Sequence, residues 1–157
     1  MKKVLQGKAA VAQGFRGGQL NVSVDCLDRW LDSGVASKAA LIWGGEPATD
    51  GNPGEERVLT YRQLHREVCR FANVLKRNGL GKGDRAIIYL PMVPEAAIAM
   101  LACTRIGPVH SVVFGGFSPQ SVADRLLACV ARMVIPPAGR FRRGAEGALP
   151  QNWERHA

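Results

Sequence analysis

The sequence predicts an α/β fold, a parallel sheet flanked by helices, and three observations predict it. Between residues 60 and 135 helical and strand patterns alternate through short glycine- or proline-marked connections, the arrangement that builds parallel sheets with right-handed crossovers. One run, Ala86-Ile87-Ile88-Tyr89-Leu90, is apolar on both faces, as a central parallel strand must be. The composition is 46% hydrophobic but only 6% aromatic, so the core is aliphatic.

Each element has a local cause. Cys26, Leu27, Trp30 and Leu31 fall at helical spacing, which predicts a short amphipathic helix over 25–33, with Ser23 or Asp25 as cap and Gly34 as its end. Residues 39–43 read as a strand, and 44–56, with Pro47, Gly51, Pro53 and Gly54, as a turn-rich loop. Thr60 and Gln63 make a capping box, after which Leu64, Val68, Phe71 and Leu75 recur on one face of a long helix running to Asn78. Gly79 and Gly81 stop it. Arg85–Leu90 is the central strand, and Pro91 and Pro94 break it and start a helix over 95–105 that is apolar nearly all round, hence covered on several sides. Val109–Phe114 is the next strand. Ser118-Pro119 opens a helix through Val122, Leu126 and Val130, and residues 132–135 form one more strand.

The 157 residues allow one domain with a real core. Residues 1–19 read as a basic, glycine-rich arm, and 136–157 as a divergent basic tail without period, expected to be irregular. Charge follows these ends. Lys2, Lys3, Lys8 and Arg16 meet no acid, and Arg140, Arg142, Arg143 and Arg155 face only Glu146 and Glu154, so the ends supply six of the eight net positive charges. That distribution argues against nucleic acid as a partner. Cys26, Cys69, Cys103 and Cys129 are dispersed, without C-x-x-C, and read as core thiols in a reducing cytoplasm rather than metal ligands. The apolar run 96–103 is too short to span a bilayer, and Gly7, Lys8, Gln13 and Gly14 interrupt any leader after Met1-Lys2-Lys3. A cytoplasmic chain with no membrane partner is the expectation.

The stretch with the most chemical promise is 110–118, His-Ser-Val-Val-Phe-Gly-Gly-Phe-Ser. Strand, glycine turn and helix start follow one another. In open α/β sheets ligands sit where strand carboxyl ends meet helix amino ends, because free N–H groups point there and glycine permits close approach. Each residue also has a plain role. Gly115 and Gly116 serve as the turn, His110 as a strand-end histidine with no acid or nucleophile patterned beside it, and Glu95 as a first-turn carboxylate favoured by the helix dipole. Ser111 and Ser118 lack a nucleophile-elbow context and read as strand and cap residues.

The chain also resembles a known family, the AMP-forming acetyl-CoA synthetases of the acyl-adenylate-forming superfamily. The resemblance is carried by Leu20-Asn21-Val22-Ser23, Cys26-Leu27-Asp28-Arg29, Leu41-Ile42-Trp43, Thr60-Tyr61-Arg62-Gln63-Leu64, Ala72-Asn73-Val74-Leu75-Lys76 and Lys82-Gly83-Asp84-Arg85. It continues in Tyr89-Leu90-Pro91-Met92-Val93-Pro94-Glu95-Ala96, Met100-Leu101-Ala102-Cys103, Arg105-Ile106-Gly107 and the glycine stretch. These blocks lie in register over residues 20–135, which the resemblance marks as a partial amino-terminal domain.

The resemblance implies an acetate–CoA ligase, converting acetate, ATP and CoA to acetyl-CoA, AMP and diphosphate through acetyl-adenylate, with Mg2+ on the phosphates. It implies no catalytic residue here: the family's Ser/Thr/Gly-rich phosphate loop and mobile catalytic domain do not occur in these residues, so the chain alone is expected to be catalytically incomplete. Two binding positions carry over, Gly116 to the CoA-lining glycine and Arg142 to the first arginine of a turn that meets the CoA nucleotide's phosphate. Pro136, Pro137, Ala138 and Ala145 depart from the pattern around Arg142. The chain is therefore expected to leave the family's reading frame near Ile135. Translating the other two frames beyond that codon tests this, and absence of the family's continuation from both would count against it. The other readings are a stand-alone CoA- or anion-binding module and a basic nucleic-acid-binding protein. A sheet cut short also predicts poor solubility, or dependence on a complementing chain or chaperone.

Overall fold

The structure, a computed structural model, describes residues 3–6, 13–47, 54–137, 140–142 and 145–147, with side chains over 17–47 and 54–137. In chain order, β1 (Lys3–Gln6) and β2 (Gln13–Arg16) form an antiparallel ladder. Helix α1 (Val22–Cys26) and a 3-10 turn (Asp28–Trp30) follow, then β3 (Ala39–Gly44) paired antiparallel with β4 (Glu56–Thr60). Next come α2 (Tyr61–Arg77), β5 (Arg85–Leu90), α3 (Pro94–Ile106), β6 (Val109–Phe114), α4 (Pro119–Cys129) and β7 (Met133–Ile135). The short strands β8 (Arg140–Arg142) and β9 (Ala145–Gly147) pair antiparallel.

The predicted α/β class is the observed one. Strands β6, β5 and β7 lie side by side in that order, all parallel, with β5 in the middle. The period of two divides β5 between two cores. Ala86, Ile88 and Leu90 join Leu64, Val68, Ala72 and Leu75 of α2 and Ile98, Ala99, Ala102 and Cys103 of α3, whereas Ile87 and Tyr89 pack with Val113 and, from α4, Val122 and Cys129. Helices on both faces are why this strand is apolar throughout. The long helix begins with the predicted capping box, Thr60 Oγ1 accepting from the Gln63 N–H at 3.2 Å and Gln63 Oε1 accepting from the Thr60 N–H at 2.8 Å. Gly107, at φ +97°, ends α3 in the left-handed region that glycine enters without strain.

The structure departs from the sequence reading at four places. The first helix starts earlier and is shorter than 25–33. Asn21, rather than Ser23 or Asp25, caps it, its Oδ1 accepting from the N–H groups of Ser23 at 3.0 Å and Val24 at 3.3 Å. The same side chain donates through Nδ2 to the carbonyls of Thr104 at 3.0 Å and Arg105 at 3.2 Å, so a contact with the end of α3 sets the start of α1. Leu27 leaves helical geometry and buries itself in the main core. Second, residues 56–60, read as the end of a loop and a cap, form β4, since pairing with β3 overrides the charged Glu56-Arg57 start. Third, the ends, expected to be an arm and an irregular tail, each carry a short antiparallel ladder. Fourth, only Cys103 of the four cysteines is buried. Cys26 is exposed, and Cys69 and Cys129 are half-buried. Burial pushes the Cys103 thiol up to about 11, which keeps it protonated and unreactive near neutrality.

Candidate functional site

The last register pair of β5 and β6 is Leu90 with Phe114, so the glycine turn sits at the carboxyl end of the parallel sheet beside Pro91. The Phe117 N–H closes the turn on the Phe114 carbonyl at 3.0 Å. Ser118 then caps α4, its Oγ accepting from the Ser121 N–H at 3.3 Å, with Pro119 in the first turn. Strand end, turn and helix start thus stand as predicted.

The two glycines are not equivalent. A Cβ on Gly115 would lie 3.1 Å from the Pro91 nitrogen and 3.3 Å from its Cα, both backbone atoms, so a side chain there would press the turn a few tenths of an ångström away from the end of β5. A Cβ on Gly116 would meet the ring of Phe114 at 2.6 Å, but that ring is exposed and can rotate aside. Packing against backbone therefore favours glycine at 115 and leaves Gly116 facing the surface. Phe114 and Phe117 meet edge to face at 6.4 Å between centroids, and the guanidinium of Arg125 stands 5.3 Å from the Phe117 ring.

Tyr89 reaches this turn from β5. Its hydroxyl donates to the Phe117 carbonyl at 2.9 Å, with the Gly115 carbonyl at 3.4 Å. Nothing in the glycine motif marks this residue. The available signal was a lone hydroxyl inside a buried apolar strand, since a buried phenol needs a partner.

The other candidates take plainer places. His110 is half-buried, its side chain makes no hydrogen bond or ion pair among the described residues, and burial lowers its pKa. Glu95 stands in the first turn of α3 and also accepts from Arg57 of β4, Nη1 to Oε1 at 2.8 Å, a bond that raises the arginine's pKa. The sequence reading missed Arg57 because it missed β4. The Trp43 indole donates to the Met92 carbonyl at 2.6 Å, tying β3 to the loop between β5 and α3. Arg142 lies in β8, and its side chain is outside the described residues.

Two features lie away from the turn. A groove of about 490 Å3, lined by Leu20, Asn21, Lys82 and residues 104–108, sits where α3 gives way to β6, at the amino ends of the strands. Asp28 bonds Arg105 and lies 3.4 Å from His65 Nε2. Burial alone would raise its pKa, but the guanidinium and then the imidazole outweigh that and hold it below the usual carboxylate value. No group of three or more His, Cys, Asp or Glu among the described residues could hold a metal ion. No helix among them is long and apolar enough to cross a membrane.

Parallel strands ending on a glycine turn, with a capped helix start directly after, define an α/β protein of the open-sheet class, in which ligands commonly sit at the strand carboxyl ends. A family model described as "AMP-binding enzyme" matches residues 30–152, and the chain belongs to this family. It is 57% identical to an acetyl-coenzyme A synthetase of Leptospira biflexa over 152 residues, 96% of this chain and 22% of that protein. It is 54% identical to an acetyl-coenzyme A synthetase of Syntrophus aciditrophicus over 138 residues, 88% of the chain and 20% of the relative. With acetyl-coenzyme A synthetase 2 of Pseudomonas aeruginosa the identity is 53% over 141 residues, 90% of the chain and 21% of the relative. The chain thus spans about a fifth of the length of the curated relatives it matches.

Proposed function

We propose that this chain is an amino-terminal part of an acetate–CoA ligase and contributes the turn around Gly116 to a CoA site. The observation that carries the reading is the strand, glycine turn and capped helix at the sheet's carboxyl end, in a chain more than half identical to proteins named acetyl-coenzyme A synthetase. Gly116 is the lining residue in this reading because it is exposed and no backbone of β5 packs against it, whereas Gly115 lies against Pro91. Adenylation requires positioned donors, cations and metal around the phosphates. The chain spans about a fifth of the length of its relatives, and in this reading ATP and Mg2+ are held by the remainder, which leaves the chain alone catalytically incomplete.

The test is an assay of the purified chain with acetate, ATP and CoA, followed by separate titrations with CoA, ATP and a short oligonucleotide. No acetate-dependent AMP is expected, and AMP release would overturn the claim of incompleteness. Weak CoA binding is expected of a partial site, whereas tight, saturable CoA binding by the chain alone would favour the stand-alone module. Binding to the oligonucleotide but not CoA would overturn both.

A further inference from the structure

We infer that Tyr89 is a positioning residue for the glycine turn, holding its peptide planes so that the backbone N–H groups of Gly116 and Ser118 face outward toward a ligand. The inference rests on the reading of this turn as part of a CoA site and adds the residue that shapes it.

The geometry begins with the phenol. Tyr89 is buried among Ile87, Val113 and Val122, so its ring is fixed by packing, and the hydroxyl is delivered to the end of β6. Two carbonyls, those of Phe117 and Gly115, face that one oxygen at 2.9 and 3.4 Å. A phenol carries one proton, so the shorter contact is the main bond and the longer one shares it.

The consequence comes from the planarity of the peptide unit. Every described peptide bond is trans, so the N–H on the far side of each plane points opposite to its carbonyl. When the Gly115 carbonyl faces Tyr89, the Gly116 N–H faces away from it. The same holds for the Phe117 carbonyl and the Ser118 N–H. Among the described residues neither of these N–H groups donates a hydrogen bond to the protein, whereas the intervening Phe117 N–H is used to close the turn. One buried hydroxyl thus orients two outward donors two residues apart, at the start of α4, where the helix dipole adds to their attraction for an acceptor oxygen. An amide carbonyl or phosphate oxygen of CoA is an acceptor of that class.

The experiment compares the full chain with Tyr89→Phe, which keeps the ring and removes only the hydroxyl. Hydrogen exchange is followed by mass spectrometry over the turn and, as an internal control, over α2. Without ligand, exchange across residues 114–121 is expected to accelerate at least about fivefold in the variant while α2 is unchanged. Unchanged exchange in the turn, or equal acceleration in turn and α2, would overturn the positioning role. With millimolar CoA present, exchange in the turn of the unsubstituted chain is expected to slow, and in Tyr89→Phe not to slow. Protection by CoA that survives the substitution would likewise overturn it. If CoA leaves the unsubstituted turn unprotected, the CoA reading fails, and the ligand-free comparison still decides the role of Tyr89.

Discussion

Replacing Val112 with lysine is expected to turn a self-associating chain into a largely monomeric one. Strand β6 is the outer strand of the parallel sheet, and among the described residues no strand pairs with its free edge. His110, Val112 and Phe114 pair in register with Ala86, Ile88 and Leu90 and so share the face that carries α2 and α3. Those helices cover β5 and stop short of the outer strand, leaving Val112 49% and Phe114 53% exposed. A free edge with an apolar row beside it is a template for another chain, and a lysine on the edge is a common natural defence. Sedimentation velocity at concentrations on the order of 10 µM is the measurement. The unsubstituted chain should sediment as mixed oligomers and Val112→Lys mainly as monomer. A monomeric, cooperatively melting chain without the substitution would contradict the expectation.

The second large effect is expected at Arg105. Its guanidinium bonds Asp28, whose carboxylate also lies near His65, and the three residues join the 3-10 turn to α3 and α2. Arg105 is 19% and Asp28 30% exposed in their side chains, so the pair is neither a surface bridge nor a sealed one. Exposed pairs contribute up to about 1 kcal/mol, and breaking buried ones costs roughly 3–5. For Arg105→Ala, with solvent screening allowed for, a loss of about 1–2 kcal/mol is expected in chemical denaturation. The pH dependence has a definite sign. The folded state lowers the pKa of Asp28, so the carboxylate's contribution is present above its unfolded value, about 3.9, and is lost as pH falls through the lower folded value. The gap between the two chains should be full at pH 6 and shrink below pH 4. A gap that widened in acid would count against the assignment.

Most of the parallel layer was legible because its signals are local. The Thr60–Gln63 box, the spacing of Leu64, Val68 and Leu75, and the prolines and glycines around β5 and α3 each act within a few residues, and the structure keeps them. Strand β4 was not legible, since its polar start reads as loop until β3 lies beside it. Asn21 was missed as a cap for a related reason, its amide being held by carbonyls at residues 104 and 105. The thiols were misplaced because dispersal along the chain says nothing of depth in the fold.

At the candidate site the division follows the same line. A strand running into two glycines and a capped helix was readable from the residues alone, because propensity, glycine freedom and capping are properties of neighbouring residues. Which glycine lies against backbone could be seen only in the folded chain, since that depends on Pro91, twenty-odd residues earlier in the sequence. The tertiary structure alone placed the Tyr89 hydroxyl on the turn's carbonyls, because register between β5 and β6 brings those atoms within a hydrogen bond of each other.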